Sequence, residues 1–168
     1  MKKIMFNSKL GLEQAVLEGR KTMTRRIIHD DVVKIYSDPW DLIGNCARYH
    51  FDEVVAVAQR YCDVLHCADV PKGDEKGWGN KMFVKAELMP HHIEITGIKV
   101  ERLQDISEED CLKEGIKRCN LNKKFAFDDK RAYNTAREAF AALIDKVSGT
   151  GTWNSNPWCF CYEFKLID

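Results

Sequence analysis

The chain lacks a surplus of charge of either sign and lacks any long apolar run. Its 168 residues include 26 Lys and Arg and 26 Asp and Glu, so the formal net charge is zero. A protein that holds long duplex DNA neutralises many phosphates and needs an excess of cations, so that class is disfavoured, whereas a small local nucleic-acid site is not. No stretch reaches the roughly 18 apolar residues of a membrane span, and the start MKKIMFNSKLG lacks the apolar core of a signal peptide.

The sequence also lacks the spacings that are typical of structural metal sites. It contains no CxxC pair and no HExxH motif. The nearest candidates are Cys62, His66 and Cys67 in CDVLHC, and Cys46 with His50 in NCARYH. We therefore expect no metal and no cofactor. Seven irregularly spaced cysteines are typical of a reduced protein rather than a disulfide framework, which favours a cytoplasmic location without a membrane partner.

What the chain does have is enough apolar content for a core. Hydrophobic residues make up 45% and charged residues 31%, as in an ordinary globular domain. The length predicts a single domain, 1–168, with an inserted loop around 62–80 and an added helix around 129–147. Oligomeric state leaves no signal in the sequence.

Strand and helix patterns both occur. Strand patterns cover 53–61, 81–88 and 92–103, with a change of phase at Gly97 that predicts a bulge. The clearest strand is WCFCYEFKL, 158–166, where large apolar side chains alternate. Helix patterns cover 8–19, with Ser8 as cap and Gly19 as terminator, then 107–115, capped by Ser107, and 129–147. Because few strands are joined by regular β-α-β units, we predict an α+β fold: a small, mostly antiparallel β-barrel or curved sheet with peripheral helices.

The segment GRKTMTRR, 19–26, leaves the first predicted helix at its C-terminus. Its cations and hydroxyls are Arg20, Lys21, Thr22, Thr24, Arg25 and Arg26. Cations at a helix C-terminus complement its partial negative charge, so a solvated basic turn explains them without a ligand. A phosphate- or base-binding site is the alternative. In an extended segment Lys21 and Thr24 would point to opposite faces, so shared chemistry requires a turn between them.

Glu114 is the second unusual position. It lies in the last turn of the predicted 107–115 helix, beside Gly115, where a carboxylate has the wrong sign for the helix dipole. A solvated glutamate is one interpretation. A nearby cation would make the position favourable, and GRKTMTRR offers four. A cluster of Lys, Thr and Glu would contain a nucleophile activated by a base and a carboxylate that orients it or moves protons.

The loop GTGTWNSNPW, 149–158, contributes a large ring and amide groups before the last strand. Trp153 and Asn154 are what a protein would use to stack on a base and to read its edge. The alternative interpretation is that Trp153 pins the loop onto the core.

These segments resemble the ASCH domain, a small β-barrel family related in fold to PUA RNA-binding domains. The resemblance rests on LEGRKTMTRR, EVVAVAQRY, IEITGIKVERLQDISEEDCLKEGI and NPWCFCYEFKL, and the whole chain is similar to ASCH proteins of phages and prophages. Some ASCH members are amidohydrolases that remove the acetyl group from acetylcytidine with a lysine, a threonine and a glutamate. The resemblance places these on Lys21, Thr24 and Glu114.

The resemblance implies a pocket that binds a nucleoside, a modified base or single-stranded RNA or DNA, and an amidohydrolase activity. Thr24 would be the nucleophile, Lys21 would lower its proton affinity, and Glu114 would move or orient the proton. The ligand-binding residues would be Arg20, Thr22, Arg25, Arg26, Trp153 and Asn154. Two alternatives stay open: a non-catalytic nucleic-acid-binding module, and a phage-borne interaction protein without a small ligand.

Overall fold

A computed structural model describes residues 1–66, 69–71, 73, 76–119 and 123–168. The strands are β1 (Lys2–Ile4), β2 (Met23–Ile27), β3 (Val54–Val57), β4 (His92–Arg102), β5 (Lys117–Arg118), β6 (Phe125–Ala126) and β7 (Trp158–Leu166). The α-helices are α1 (Leu12–Leu17), α2 (Asp30–Val33), α3 (Pro39–Cys46), α4 (Glu108–Lys113), α5 (Ala136–Ser148) and α6 (Thr152–Ser155). Short 3₁₀ turns cover Ser8–Leu10, Tyr61–Asp63, Lys81–Phe83, Ala86–Leu88 and Leu103–Asp105.

The main sheet has the strand order β1-β3-β4-β7-β2, and β5 pairs with β6 separately. Within the main sheet β1 and β3 are parallel and the other neighbours are antiparallel, so the predicted α+β class and antiparallel character are confirmed. The barrel is not found: among the described residues no ladder joins the edge strands β1 and β2. The three-residue β1 is short for closure, and α4 packs against β2 at the other edge.

The longest strands are predicted well, and one predicted strand is wrong. The last strand covers Trp158–Leu166 as the alternation indicates, and the β4–β7 register shifts between Ile95 and Gly97, where the bulge was expected. Residues 81–88 instead form two 3₁₀ turns. The Asn80 side chain accepts from the Met82 amide at 3.0 Å, which starts a turn and interrupts the extended pattern.

The predicted helix ends differ from the observed ones where local caps decide. In the first helix, Asn7 rather than Ser8 caps the 3₁₀ turn, and Gly11 in the left-handed region (φ 68°) separates it from α1. The last long helix begins at Ala136, not near 129. Thr135 and Glu138 form a reciprocal capping box there, which fixes the start of the helix.

Replacing Thr135 by Ala should lower the free energy of unfolding by about 1 kcal/mol, because the Glu138 amide loses its acceptor at 3.1 Å. Denaturant unfolding followed by circular dichroism measures the change. Thr150→Ala is the matched control, since Thr150 is exposed beyond the end of α5. Equal stability losses in the two variants would show that the cap does not stabilise α5.

The buried residues form two clusters. The larger one joins the sheet to α1, α4 and α5, and includes Ile4, Leu103, Phe140 and Tyr162. The smaller one lies between β3 and the following 3₁₀ turns, with Tyr61 and Met89 among its members. The predicted inserted loop therefore contributes its own apolar contacts. Among the described residues, no helix is both long enough and apolar enough to cross a bilayer.

Candidate functional site

A cavity of about 330 Å³ lies between β2, the start of the chain and α5. Its polar wall includes Lys21, Thr24 and Glu114, and its apolar wall includes Phe6 and Phe140. Lys21 and Glu114 are 93 positions apart in sequence, and the packing of α4 against β2 brings them together. The cavity therefore combines a concave apolar surface with a few polar groups, the usual form of a small-molecule site.

The Lys21 ammonium is buried at the polar wall and its donors are occupied. It donates to Glu114 Oε2 at 2.7 Å, to the Glu114 carbonyl at 2.8 Å and to the Met23 carbonyl at 2.7 Å. Only 2% of the Lys21 side chain and 5% of the Glu114 side chain are exposed. Burial lowers the pKa of Lys21, and the charge of Glu114 opposes that shift.

Glu114 is held at the end of α4 by the backbone around it. It is the C-cap residue, and Gly115 follows in the left-handed region with a φ of 104°. A Cβ on Gly115 would lie 3.3 Å from Leu12 Cδ2 and 3.6 Å from Lys21 Cδ. The chain thus needs glycine here both for its conformation and for the close approach of the lysine stem to the glutamate.

Arg25 supplies the second cation beside Glu114. Its Nη1 donates to Glu114 Oε1 at 3.1 Å, and its Nη2 donates to Glu101 Oε1 and, at 3.3 Å, to Asp110 Oδ2. Burial alone would lower the pKa of Arg25, but the Glu114 and Glu101 carboxylates raise it. Because the guanidinium is directed at three carboxylates, its geometry favours holding Glu114 in place over contacting a ligand phosphate.

Thr24 lines the same cavity from the edge strand. It lies in β2, opposite Tyr162 of β7, and is buried. Lys21 precedes the strand, so the alternation that would separate the two side chains does not extend to it. In the described part of the chain no hydrogen bond joins the Thr24 hydroxyl to Lys21 or Glu114. A hydroxyl, an ammonium and a carboxylate nevertheless share one hollow.

Two other residues of the basic segment lie away from the polar wall. The Arg20 side chain is exposed and donates to Glu18 at 2.7 Å. Thr22 is half-buried, and its amide donates to the Lys113 carbonyl at 2.9 Å. Arg26 does line the cavity, and it donates to the Met5 carbonyl at 2.8 Å.

The tryptophan loop is not part of the cavity wall. Trp153 packs edge-on against Phe140 with centroids 6.1 Å apart, and the Arg137 guanidinium lies 5.1 Å from its ring centroid. Asn154 is exposed. Phe140 therefore stands between Trp153 and the cavity, and the pinning interpretation of the loop fits these contacts.

Sequence reasoning missed several residues of the site. Asp110 lies in the first turn of α4, where the helix dipole alone accounts for a carboxylate; the Ser107 hydroxyl accepts from its amide at 3.0 Å, but its carboxylate also faces Arg25. Glu101 has no signal in the sequence beyond its place in a strand. Phe140, with its α5 neighbours Leu143 and Ile144, forms the apolar wall, and helical spacing alone does not distinguish such residues from ordinary core positions.

The cysteines and histidines form no metal cluster within the described residues, and Cys67 lies outside that part of the chain. Cys111 and Cys159 are fully buried. Burial raises the pKa of each to about 12, which keeps both as thiols rather than the thiolates that bind metals.

Solved structures similar to this chain include a DUF984 protein from Enterococcus faecalis V583. It is 14% identical, with a TM-score of 0.45, and the alignment covers 94% of this chain and 67% of that one. A second similar structure comes from Lactobacillus crispatus JV V101. It is 12% identical, with a TM-score of 0.47, and the alignment covers 92% of this chain and 69% of that one. This neighbour is an ASCH domain.

No family model and no curated protein matches the chain. At TM-scores below 0.5 the structural similarity supports no comparison of individual residues, so the chemistry of the site rests on its own geometry.

Proposed function

We propose that the cavity binds a nucleoside and hydrolyses an N-acyl bond on a cytidine-type base, with Thr24 as nucleophile. The observation that carries the proposal is the buried Lys21–Glu114 pair, with its 2.7 Å contact, in the wall of a cavity that Thr24 also lines. A desolvated ion pair in the wall of a cavity is costly for structure alone and is common at catalytic sites. The resemblance to ASCH amidohydrolases assigns catalysis to the same three residues.

The reaction would proceed in two steps that balance. The Thr24 Oγ attacks the acyl carbon while its proton passes to Glu114, and the C–N bond then breaks as the base amine takes that proton. Water next attacks the acyl-threonine ester, the carboxylic acid leaves, and the threonine hydroxyl is restored. The donors of Lys21 are already occupied, so its positive charge, rather than a new hydrogen bond, stabilises the negative charge that develops on oxygen. Hydrogen bonds to the Thr24 hydroxyl would form in the substrate complex, since catalytic contacts tighten on binding.

Acetylcytidine is the test substrate, with acetate and cytidine followed by proton NMR or chromatography. The wild type should release both in equal amounts. Thr24→Val should abolish turnover, because it keeps the shape and removes the nucleophile, while Thr24→Ser should retain part of it. Glu114→Gln should slow turnover by about 10²-fold or more.

Thr96→Val is the matched control, because it removes the same hydroxyl from an exposed position of the same sheet. Circular dichroism spectra of all variants separate loss of chemistry from loss of fold. A wild type that releases no more acetate than Thr24→Val would contradict the proposed hydrolase activity. If such a wild type still bound cytidine, the result would favour a non-catalytic binding module. If it bound neither nucleoside nor nucleic acid, the result would favour an interaction protein without a small ligand.

A further inference from the structure

A second hollow lies beside the candidate site. It also has a volume of about 330 Å³, and Met5, Arg26 and Ile27 line both cavities. Met5 and Ile27 are 36% and 43% exposed, so they form an accessible apolar ridge between the two. A ligand longer than a nucleoside can therefore lie across the ridge with one part in each hollow.

The second hollow is lined by cations and by no carboxylate among the described residues. The cations are Lys3, Arg26 and Arg48. None of the three forms an ion pair with any described residue, in contrast to Arg25, which faces three carboxylates. The chain as a whole has zero formal charge, so this local excess results from the fold and produces a positive potential in a concave site.

Two of these cations, Lys3 and Arg48, are close enough to oppose one another. Burial, followed by the charge of Arg48, lowers the pKa of Lys3, while the charge of Glu87 opposes that shift. The Lys3 ammonium also donates to the Met82 and Val84 carbonyls at 2.7 and 2.5 Å, which fixes it in place. The two guanidiniums therefore retain more donors for a ligand than Lys3 does.

The walls of the second hollow are rigid and aromatic. Tyr49 and Tyr162 pack edge to face with centroids 5.3 Å apart. The Tyr49 hydroxyl donates to the Lys3 carbonyl at 3.0 Å, and the Tyr162 hydroxyl accepts from the Arg48 amide at 3.1 Å. Phe160 adds a third ring. The cations thus lie around a preformed surface, which reduces the entropic cost of holding an anion.

We propose that the second hollow is a phosphate subsite, in which Arg26 and Arg48 bind the phosphate of a nucleotide whose base occupies the first cavity. This inference rests on the proposed function, since the base is placed by it. Guanidinium groups match phosphate oxygens through paired N–H donors, and an anion offsets the excess of positive charge that lines the hollow. The phosphate belongs to a free nucleotide or to a single strand that runs across the ridge.

Equilibrium binding of three probes tests the subsite: cytidine, cytidine 5′-monophosphate and a short single-stranded oligocytidylate. The wild type should bind the monophosphate about tenfold more tightly than cytidine. Arg48→Gln should make the affinities for cytidine and its monophosphate about equal. It should also reduce the slope of log affinity against log salt concentration for the oligonucleotide by about one. Arg26→Gln should act in the same direction. Arg118→Gln, an equal charge change at an exposed position of β5, is the control.

The outcomes separate the two proposals. If cytidine binds but phosphate adds no affinity in the wild type, or if the ratio survives Arg48→Gln, the subsite is wrong and the nucleoside site stands. If cytidine does not bind while the oligonucleotide does so in an Arg48-dependent manner, the anion subsite stands and the proposed function fails. A monophosphate that binds as tightly as the oligonucleotide identifies a free nucleotide as the ligand, and a tighter oligonucleotide identifies a strand.

Discussion

Glu114→Gln should lower the free energy of unfolding by about 3–5 kcal/mol, because removing one partner leaves a buried charge unpaired. Lys21 would keep only neutral acceptors for an ammonium that is almost fully buried: two backbone carbonyls, at 2.7 and 2.8 Å, and the amide oxygen that replaces the carboxylate. Arg25 would lose one of its three carboxylates. Urea unfolding followed by tryptophan fluorescence measures the loss, and an unchanged denaturant slope would show that the unfolding transition is comparable.

Glu109→Gln provides the control on the same helix. Its side chain is 78% exposed and pairs with Lys113 at 3.2 Å, so its loss should cost no more than about 0.5 kcal/mol. The double variant Lys21→Met with Glu114→Gln should recover part of the stability, because it removes both buried charges. If Glu114→Gln costs no more than Glu109→Gln, the pair is hydrated and the geometry of the polar wall is wrong.

Three predictions that rest on a local signal are confirmed: the last strand, the bulge in β4 and the Ser107 cap. Alternation over nine residues fixes β7, and a glycine that breaks the alternation marks the bulge in β4. Ser107 caps α4 as its sequence indicates. The 81–88 prediction failed because a short apolar run does not reveal whether a neighbouring strand exists to pair with it, and Met82 and Phe83 are in fact exposed.

The candidate site was only partly predictable, since it depends on contacts between distant segments. Charge reasoning identified Glu114 as a carboxylate in need of a cation, but no spacing rule connects it to Lys21. Residue type alone grouped Arg25 with the ligand-binding cations of the basic segment. Only the fold shows that its guanidinium pairs with three carboxylates. Cys159 and Cys161 alternate with the large apolar residues of β7, a pattern that predicts the opposite, more polar face of a strand, yet both are fully buried, because that strand is covered on both faces at its first half.

Phe140→Ala should lower the free energy of unfolding by about 3–5 kcal/mol, through lost burial and the void that remains. The ring is 1% exposed, packs edge-on against Trp153 and lies 6.0 Å from the Arg25 guanidinium carbon. Phe51→Ala, at a 64% exposed position, should cost less than about 0.5 kcal/mol. Urea unfolding of the two variants measures the difference between their free energies of unfolding. Because Phe140 forms the wall opposite the polar groups, equal losses would mean that α5 does not close the cavity.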